Sequence, residues 1–551
     1  MELVEIRDLD GPNLFILQPA MKLEVVLADG ERVSTEAINV ASDVLGLSLP
    51  DSPHDAMLNI VGELHRRANL PEPAAGWRSL DTPQHHVLFF VWSWRSVAER
   101  IAELTFATMN GRITSADVDG LSTYLERDRE RQNRPELVTD DQRKIPAIGV
   151  TGTNGKTTTT RLLSHIIRCS GQVVGWCSSS GVYIDGDLVL DGDYTGPSGA
   201  RRVLEDPRVD VAVLETARGG ILLRGLGYES NDVGVMLNVS ADHLDMQGVE
   251  TIETLAEAKS VVVRVTKASG VVVLNADDPL VAAQRGHVQA SVIFFTQNPD
   301  NPIILDHLAT GGRCIVRNGD DVLEHSRGRT THLFNIANAP VTFGGRARHM
   351  VENVLAATGA ALGLKIPVET IADGVATFTP DIQHNVGRLN VFDVDGRIVV
   401  VDYAHNESGL QALINFSRSL IADNRLLRVV VGTAGDRQDA VFEALGHVAA
   451  AGADRVFLKE TPKYLRGRPE GDGPGIIKAA IVADEAEDRL YADVLGEHDA
   501  LLAALDESAP GDAVAVMCVE EQLRIFGALR DRGAREWSIK AGTPAGDSAH
   551  G

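Results

Sequence analysis

Residues 149–157 read Gly-Val-Thr-Gly-Thr-Asn-Gly-Lys-Thr. The stretch begins at the end of the apolar run at 145–150 and is followed by a helical pattern. A strand, a glycine-rich turn and a helix in this order predict a phosphate-binding loop, because loop amides and the helix N-terminus converge on phosphate oxygens. Lys156 would reach the β and γ phosphates, and the Thr157 hydroxyl would bind magnesium. The alternative is an ordinary glycine-rich turn. The context favours an enzyme that uses a nucleoside triphosphate.

The loop departs from the standard Walker pattern in one respect. That pattern has a glycine five residues before Gly155, where this chain has Val150, and Gly149 comes one residue early. We interpret the stretch as a variant of the same loop, since Gly-Lys-Thr still falls between a strand and a helix. The predicted nucleotide contacts in the loop are Gly152, Thr153, Asn154, Gly155, Lys156, Thr157 and Thr158.

Composition restricts the class of protein. The formal net charge of −25 over 551 residues disfavours nucleic acids and anionic membranes as main partners, while a local basic pocket for ATP stays compatible with it. The four cysteines lack the paired short spacing of a zinc site or a disulfide framework. No run approaches the roughly 18 apolar residues of a membrane helix. We therefore expect a cytoplasmic protein that binds neither nucleic acid nor membrane.

Short Val- and Ile-rich runs alternate with helical stretches, which is typical of parallel sheets covered by helices. The buried strand candidates are 209–214, 233–237, 270–274, 291–296, 397–401, 427–431, 455–458 and 513–516. Asn318-Gly319 and Asp395-Gly396 predict hairpin turns. The predicted fold class is α/β with three domains. These are a small α+β domain at 1–140, a central P-loop doubly wound domain at 145–379, and a C-terminal Rossmann-like domain at 380–535, with a flexible tail at 536–551.

Polar side chains follow two of these strands. Glu215 comes directly after the strand at 209–214, and His243 lies shortly after the strand at 233–237. Ligands bind at the carboxyl ends of strands in open α/β sheets, so Glu215 could hold magnesium and His243 a second metal ion. The alternatives are a solvated loop acid for Glu215 and a surface or capping residue for His243.

Lys259 lies in a predicted helix at 252–265. Taken alone it is best interpreted as a lysine that faces solvent. Asp402 and His405 follow the strand at 397–401, where an ordinary polar turn is the alternative to a ligand site.

Several segments together resemble the Mur ligase family, which includes the muramyl-peptide ligases, the folylpolyglutamate synthetases and the C-terminal part of cyanophycin synthetase. They are 151–157, 215–220, 238–244, Lys259, 275–278, 387–388, 402–406 and 435–437. The segments 192–197 and 214–227 resemble cyanophycin synthetase most, and 6–14 resembles its N-terminal domain. The resemblance implies an ATP-dependent amide ligase that activates a carboxylate as an acyl phosphate and couples it to an amino acid.

The resemblance also implies roles for single residues. Lys156, Glu215, His243 and Lys259 would be catalytic, and two Mg²⁺ ions would be held by Thr157, Glu215, His243 and a carbamylated Lys259. Asn275 and Asp278 would lie at the base and ribose of ATP. Arg388, Asp402 and His405 would contact the nucleotide from the third domain. Residues 195–198 and the pair Asp436-Arg437 would contact the acid and the amine.

Two departures qualify the resemblance. Cyanophycin synthetases carry an ATP-grasp domain where this chain has only a short connector before residue 145. The family also usually has a His-Asn pair before the helix that follows residue 349, whereas this chain has Met350 in place of the asparagine; Asn353 still fits the pattern. An alternative function is therefore a partner-dependent subunit that works with a separate ATP-grasp enzyme. A kinase or transport ATPase would explain the loop but not the matches at 402–406 and 435–437. We expect small-molecule acid and amino acid substrates, and a homo-oligomer.

Overall fold

A computed structural model describes residues 1–241 and 247–537 of the chain. His243 and residues 538–551 of the predicted tail lie outside this part. Contacts divide the chain into two units. The first contains Met1–Gly152, Ser170–Phe294 and Leu362–Lys365, and the second contains Thr153–Cys169, Phe295–Ala361 and the described residues from Ile366 onward.

The N-terminal segment has its own antiparallel sheet and helices. Its elements are β1 (Glu2–Leu9), β2 (Ala20–Val26), α1 (Thr35–Val40), α2 (Pro53–Arg67), β3 (Ala75–Ser79), β4 (His85–Val91), α3 (Arg95–Met109), α4 (Ser115–Asp119) and α5 (Leu121–Arg131). The strand order is β1-β2-β4-β3. Leu23, Ile60, Phe90 and Ile101 are fully buried in a common apolar core, as the burial of apolar surface requires.

The rest of the first unit is built on a mostly parallel sheet. Its elements are β5 (Ala147–Thr151), β6 (Val174–Ser178), β7 (Gly181–Ile184), β8 (Asp187–Leu190), α7 (Pro197–Leu204), β9 (Val211–Glu215), α8 (Arg218–Arg224), β10 (Asn231–Met236), α9 (Ile252–Arg264), β11 (Thr266–Asn275), α10 (Pro279–Ala282) and β12 (Ser291–Thr296). Helix α6 (Lys156–Cys169) follows β5 along the chain but belongs to the second unit. The strand order here is β12-β11-β10-β5-β9-β6-β7-β8. The predicted α/β fold with parallel sheets is confirmed.

Strand β5 is buried on both faces, with Ile148 and Val150 fully covered on one face and Ala147 on the other. A Cβ atom at Gly149 would lie 2.6 Å from the side chain of Val262 on α9 and 2.7 Å from the Tyr228 hydroxyl. Gly149 therefore allows α9 to pack closely on β5. This gives the early glycine of the loop sequence a packing reason.

The second unit continues with three antiparallel strands, further helices and a second α/β sheet. Its elements are α11 (Pro302–Ala309), β13 (Arg313–Asn318), β14 (Asp321–Ser326), β15 (Arg329–Asn335), α12 (Arg348–Gly363), α13 (Val368–Thr377), β16 (Asn390–Val394), β17 (Arg397–Asp402), α14 (Glu407–Arg418), β18 (Leu427–Val431), α15 (Asp439–Gly452), β19 (Arg455–Glu460), α16 (Asp472–Ala483), β20 (Leu495–Gly496), α17 (Glu497–Asp506), β21 (Ala513–Met517), α18 (Gln522–Asp531) and β22 (Arg535–Glu536). The larger sheet has the order β20-β19-β18-β21-β17-β16-β22.

The core of this second sheet contains a buried ion pair. Lys459 Nζ on β19 lies 2.5 Å from Glu497 Oε1 at the start of α17, and the two side chains are 0% and 1% exposed. The carboxylate also accepts hydrogen bonds from the backbone N–H groups of Val519 at 2.7 Å and Glu521 at 2.7 Å. Charged groups this deeply buried require such pairing.

Candidate active site

The phosphate loop has the backbone that its glycines predict. Gly152 has φ 155° and Gly155 has φ 84°, conformations that other residues rarely adopt. Helix α6 begins at Lys156, and the Lys156 ammonium donates to the Thr153 carbonyl at 2.8 Å. Thr157 and the next residue are buried in the first turn. Glycines that open the loop, a helix N-terminus and a lysine beside it fit the phosphates of a nucleotide.

Glu215 lies beside the strand that leads into the loop. Strands β5 and β9 are parallel neighbours in which Val150 pairs with Glu215, and the Thr216 N–H donates to the Val150 carbonyl at 2.8 Å. The Thr151 hydroxyl donates to the Thr216 carbonyl at 3.0 Å. Glu215 is only 2% exposed. The solvated loop acid considered above therefore does not describe it.

Lys259 is also buried. It lies on α9, its residue is 5% exposed, and its ammonium donates to the Gly152 carbonyl at 3.0 Å. The interpretation of Lys259 as a lysine that faces solvent, which its sequence taken alone favours, is therefore wrong. A lysine at this position contacts the first residue of the phosphate loop, which the local sequence did not predict.

Asn275 and Asp278 follow β11 and have visible local roles. The Asn275 side chain accepts from the Asp277 N–H at 2.9 Å. Asp278 caps α10 by accepting from the Leu280 N–H at 2.9 Å, and its other oxygen accepts from the Val239 N–H at 2.7 Å. The Asp278 carboxylate thus joins the ends of β10 and β11. Their contact with the nucleotide stays a prediction.

In the second unit, Arg388 reaches the first turn of α6. Its guanidinium donates to the Thr157 hydroxyl at 3.3 Å and lies 4.4 Å from the ring centre of Tyr403. Asp402 Oδ2 accepts from the Leu389 N–H at 2.7 Å and so fixes the turn that carries Arg388. Arg161 on α6 donates to the Val386 carbonyl at 3.0 Å. The structure thus brings Arg388 to the predicted magnesium ligand Thr157.

Asn154 forms a reciprocal amide pair with Asn406. Each side chain donates to the other, at 3.3 Å and 3.2 Å, and Asn154 also donates to the Ser408 hydroxyl at 2.9 Å. Asn406 is the N-cap of α14, where it accepts from the Gly409 N–H at 2.9 Å. Sequence reasoning gave Asn406 no role, although an asparagine before a helical pattern is a recognisable cap signal.

His405 points its Nδ1 atom at the Tyr403 carbonyl, 3.1 Å away, and its own carbonyl accepts from the Thr433 hydroxyl at 2.9 Å. His349, which the sequence did not single out, is the other histidine of this region. Burial lowers the pKa of its imidazole, and the nearby Asp402 carboxylate opposes that shift. We therefore expect His349 to be neutral at physiological pH.

The two segments expected to contact substrates are held by local bonds. The Thr195 hydroxyl donates to Asp193 at 2.7 Å. Arg437 lies 3.1 Å from Asp436, which also pairs with Arg466. Arg468 donates to the Arg437 carbonyl at 2.7 Å. Asp436 and Arg437 thus belong to a charged cluster that includes two further arginines.

Magnesium fits the donors available. Among residues 1–241 and 247–537, no three His, Cys, Asp or Glu side chains cluster closely enough to hold a metal ion. Mg²⁺ usually keeps several waters and binds through one or two carboxylates together with substrate phosphates. A hydroxyl at Thr157 and a carboxylate at Glu215 are oxygen ligands of that kind.

A glycine loop between strand and helix, at the carboxyl edge of a parallel sheet, is typical of phosphate-binding α/β proteins. Residues 150–361 match the family model of the Mur ligase middle domain, and residues 387–518 match that of the Mur ligase glutamate ligase domain. The chain belongs to the Mur ligase family. No helix in the described part of the chain is long and apolar enough to span a bilayer.

Individual relatives agree with this assignment. The chain is 42% identical over 404 residues to the cyanophycin synthetase of Trichormus variabilis, covering 73% of this chain but 44% of that protein. It is 30% identical to the UDP-N-acetylmuramoyl-L-alanyl-D-glutamate--2,6-diaminopimelate ligase of Chlorobaculum tepidum, covering 66% of this chain and 71% of that protein. The chain thus spans less than half the length of the cyanophycin synthetase.

A solved structure shares the fold. The folylpolyglutamate synthase of Mycobacterium tuberculosis, complexed with ADP and AMPPCP, has a TM-score of 0.53 at 19% identity and covers 72% of this chain and 93% of its own. At this level of identity the match supports the fold alone.

Proposed function

We propose that the chain is an ATP-dependent amide ligase that forms ADP and phosphate. The observation that carries this proposal is the bond from the Arg388 guanidinium to the Thr157 hydroxyl at 3.3 Å. Arg388 lies in the segment that matches the glutamate ligase domain, and Thr157 lies in the phosphate loop. A kinase or a transport ATPase would use the same loop but would leave the match of residues 387–518 to the glutamate ligase domain unexplained.

The reaction has two steps. A substrate carboxylate oxygen attacks the γ phosphorus of ATP, the bond to the β-phosphate oxygen breaks, and an acyl phosphate and ADP result. The amine then attacks the acyl carbon, loses a proton, and expels inorganic phosphate with the electrons of the C–O bond. Both steps concentrate negative charge on phosphoryl and carbonyl oxygens, so positioned cations supply most of the catalysis.

The residues divide between binding and charge neutralisation. The loop amides and Lys156 would hold the β and γ phosphates, and Arg388 would stabilise the charge on the transferring phosphoryl group. Bound Mg²⁺ would supply Lewis acid chemistry at the phosphate oxygens. Thr157 and Glu215 would hold the first ion, and His243 with Lys259 the second.

Lys259 would serve as a metal ligand only as its carbamate. Addition of CO₂ to the neutral amine, with loss of a proton, converts the cation into an anion. Its burial at 5% exposure supports this assignment, because a modified side chain there would be sheltered from water.

The similarity to cyanophycin synthetase suggests the first substrates to examine. They are an aspartate side-chain carboxylate, presented in a peptide or another small acid, and a basic amino acid such as arginine as the amine.

The purified protein would be incubated with ATP, Mg²⁺ and a matrix of acids and amines. Phosphate release and product mass would both be measured. We expect one pair of acid and amine to release phosphate and to give a product whose mass is that of the acid plus the amine, less one water. Phosphate release without an amide for every pair would contradict the proposal.

Lys156→Ala tests the ATP site in the same assay. We expect turnover to be lost, because Lys156 would neutralise the transferring phosphate, while Lys144→Ala, at an exposed lysine outside the loop, should keep wild-type activity. Full activity of Lys156→Ala would show that the loop is not the ATP site.

A further inference from the structure

A loop of the N-terminal segment is bonded to the helix that carries Lys259. This loop, residues 80–84, joins β3 to β4. Its Asp81 carboxylate accepts from the backbone N–H of Glu250 at 2.9 Å and of Thr251 at 3.1 Å, and from the Thr254 hydroxyl at 3.0 Å. A carboxylate beside the N-terminus of a helix is also favoured by the helix dipole.

A second contact lies further along the same helix. The Arg78 guanidinium makes two hydrogen bonds to the Glu257 carboxylate, each 2.7 Å long. This fork geometry fixes direction as well as distance. Two further contacts lie just before the helix. The Thr82 hydroxyl donates to the Glu250 carboxylate, and the Leu80 side chain packs against Gly248, where an added Cβ atom would lie 2.7 Å from it.

Helix α9 has an N-cap residue of its own besides Asp81. Thr251 already caps it, since the Thr251 hydroxyl accepts from the Thr254 N–H at 3.2 Å. Burial alone would raise the pKa of Asp81, but the hydrogen bonds from residues 250, 251 and 254 lower it, so the carboxylate is charged at neutral pH. We therefore interpret the contacts from Asp81 and Arg78 as fixing the position of α9.

Position along the helix axis matters for Lys259. A slip of one residue moves a helix by about 1.5 Å and turns it by about 100°. The bond from Lys259 Nζ to the Gly152 carbonyl is 3.0 Å long and would not survive such a slip. Glu257, bonded to Arg78, is two residues from Lys259.

We propose that Asp81 and Arg78 are positioning residues, which hold α9 in register so that Lys259 stays at the Gly152 carbonyl. The N-terminal segment then takes part in building the active site of the ligase. The catalytic consequence rests on the proposed function, whereas the positioning itself does not.

The first test compares Asp81→Ala with Asp119→Ala in the full-length protein. Asp119 is an exposed carboxylate at the end of α4 in the same N-terminal segment. A small misplacement of a catalytic group can cost up to about 100-fold in rate. We expect Asp81→Ala to lower kcat at least about tenfold with little change in the KM for ATP, and Asp119→Ala to match the wild type.

The second test is a charge exchange. Arg78→Glu and Glu257→Arg should each lower kcat, and the double variant, which restores the pair in reverse, should recover most of it. Recovery in the double variant separates positioning from a general loss of stability. A double variant as impaired as the two single variants combined would count against the proposal.

A measurement without substrates keeps the two proposals distinct. Hydrogen exchange of the amides at 252–264, and acetylation of Lys259 followed by mass spectrometry, should both be faster in Asp81→Ala than in Asp119→Ala. If the wild type ligates no pair but these rates differ, the positioning stands and the proposed function fails. If Asp81→Ala lowers the melting temperature yet keeps wild-type kcat and wild-type labelling of Lys259, the positioning proposal is overturned.

Discussion

Each of the two α/β sheets has a buried lysine near the carboxyl ends of its strands. These two lysines, Lys459 and Lys259, have different neighbours. Lys459 lies 2.5 Å from the Glu497 carboxylate, which is itself held by backbone N–H groups. Lys259 donates to the carbonyl of Gly152, the residue that opens the phosphate loop. The exposed fractions of the two residues are 1% and 5%.

Burial alone thus does not distinguish a structural lysine from a functional one. A full ion pair inside a folded sheet stabilises the fold only while both partners are present. A lysine bonded to the predicted phosphate loop lies where a change of its charge would act on a bound nucleotide. The neighbour of each ammonium predicts which property its removal will affect.

The largest effect is expected for stability at Lys459. Lys459→Met leaves the Glu497 carboxylate buried without its cation, which typically costs about 3–5 kcal/mol of unfolding free energy. Denaturant unfolding, followed by a probe in the second unit, would measure this loss. Lys478→Met, at an exposed position on α16, is the matched control. A change below about 1 kcal/mol at Lys459 would place the pair among the weak surface ion pairs.

Lys259→Ala should show the opposite pattern. Removal of one group that stabilises transition-state charge typically lowers kcat by about 10²–10³-fold, and we expect a smaller change in unfolding free energy than at Lys459. Steady-state kinetics and denaturant unfolding of the same protein sample would give both values. Partial recovery of activity in the presence of small carboxylates would support carbamylation. Robust activity without any addition would remove Lys259 from the mechanism.

The pH dependence of stability sharpens the contrast further. Burial alone would raise the pKa of Glu497, but Lys459 and the backbone N–H groups lower it below the usual 4.5. Folding therefore favours the charged form, so this stabilisation is present above about pH 4.5 and is lost as the pH falls through the folded-state pKa. Glu497→Gln should be less stable than the wild type at pH 7, by on the order of 1–3 kcal/mol.

The difference in stability between the wild type and Glu497→Gln should narrow as the pH falls below about 4.5. Unfolding midpoints of both proteins, measured from pH 7 to below pH 4.5, would give this difference. The other carboxylates titrate in both proteins, so their contribution cancels in the comparison. A difference that stays constant with pH would contradict the assignment of the charged form to Glu497.

Much of the fold was predictable where local signals are strong. The strand Ser291–Thr296 has the predicted bounds. The hairpin at Asp395-Gly396 turns with φ of 52° and 79°, as a type I′ turn requires.

Other elements also carry a local sequence signal. Strands β7 and β8 form a hairpin around Asp185-Gly186, which has the same pair of positive φ angles. Strand β15 follows the predicted hairpin at Asn318-Gly319 and adds a third strand to it. Sheet order depends on packing between distant residues, which no local pattern encodes.

The site was predictable in its residue types but not in its contacts. The Asn154 and Asn406 amides meet across 252 residues of sequence, and Asp81 meets Thr251 across 170. Such pairs depend on how whole elements pack. The resemblance to a known family supplied the candidates, and the folded chain supplied their neighbours.

The helix that begins with Lys156 ends at Cys169, and this has a practical consequence for spectroscopy. Cys169 is exposed, while Cys177, Cys314 and Cys518 are buried. Burial also raises the pKa of all three buried thiols, which slows their alkylation at neutral pH. A thiol-reactive fluorophore should therefore label the native protein at one site, about 20 Å along the helix from the phosphate loop. Labelled in this way, the wild-type chain would report nucleotide binding without any engineered cysteine.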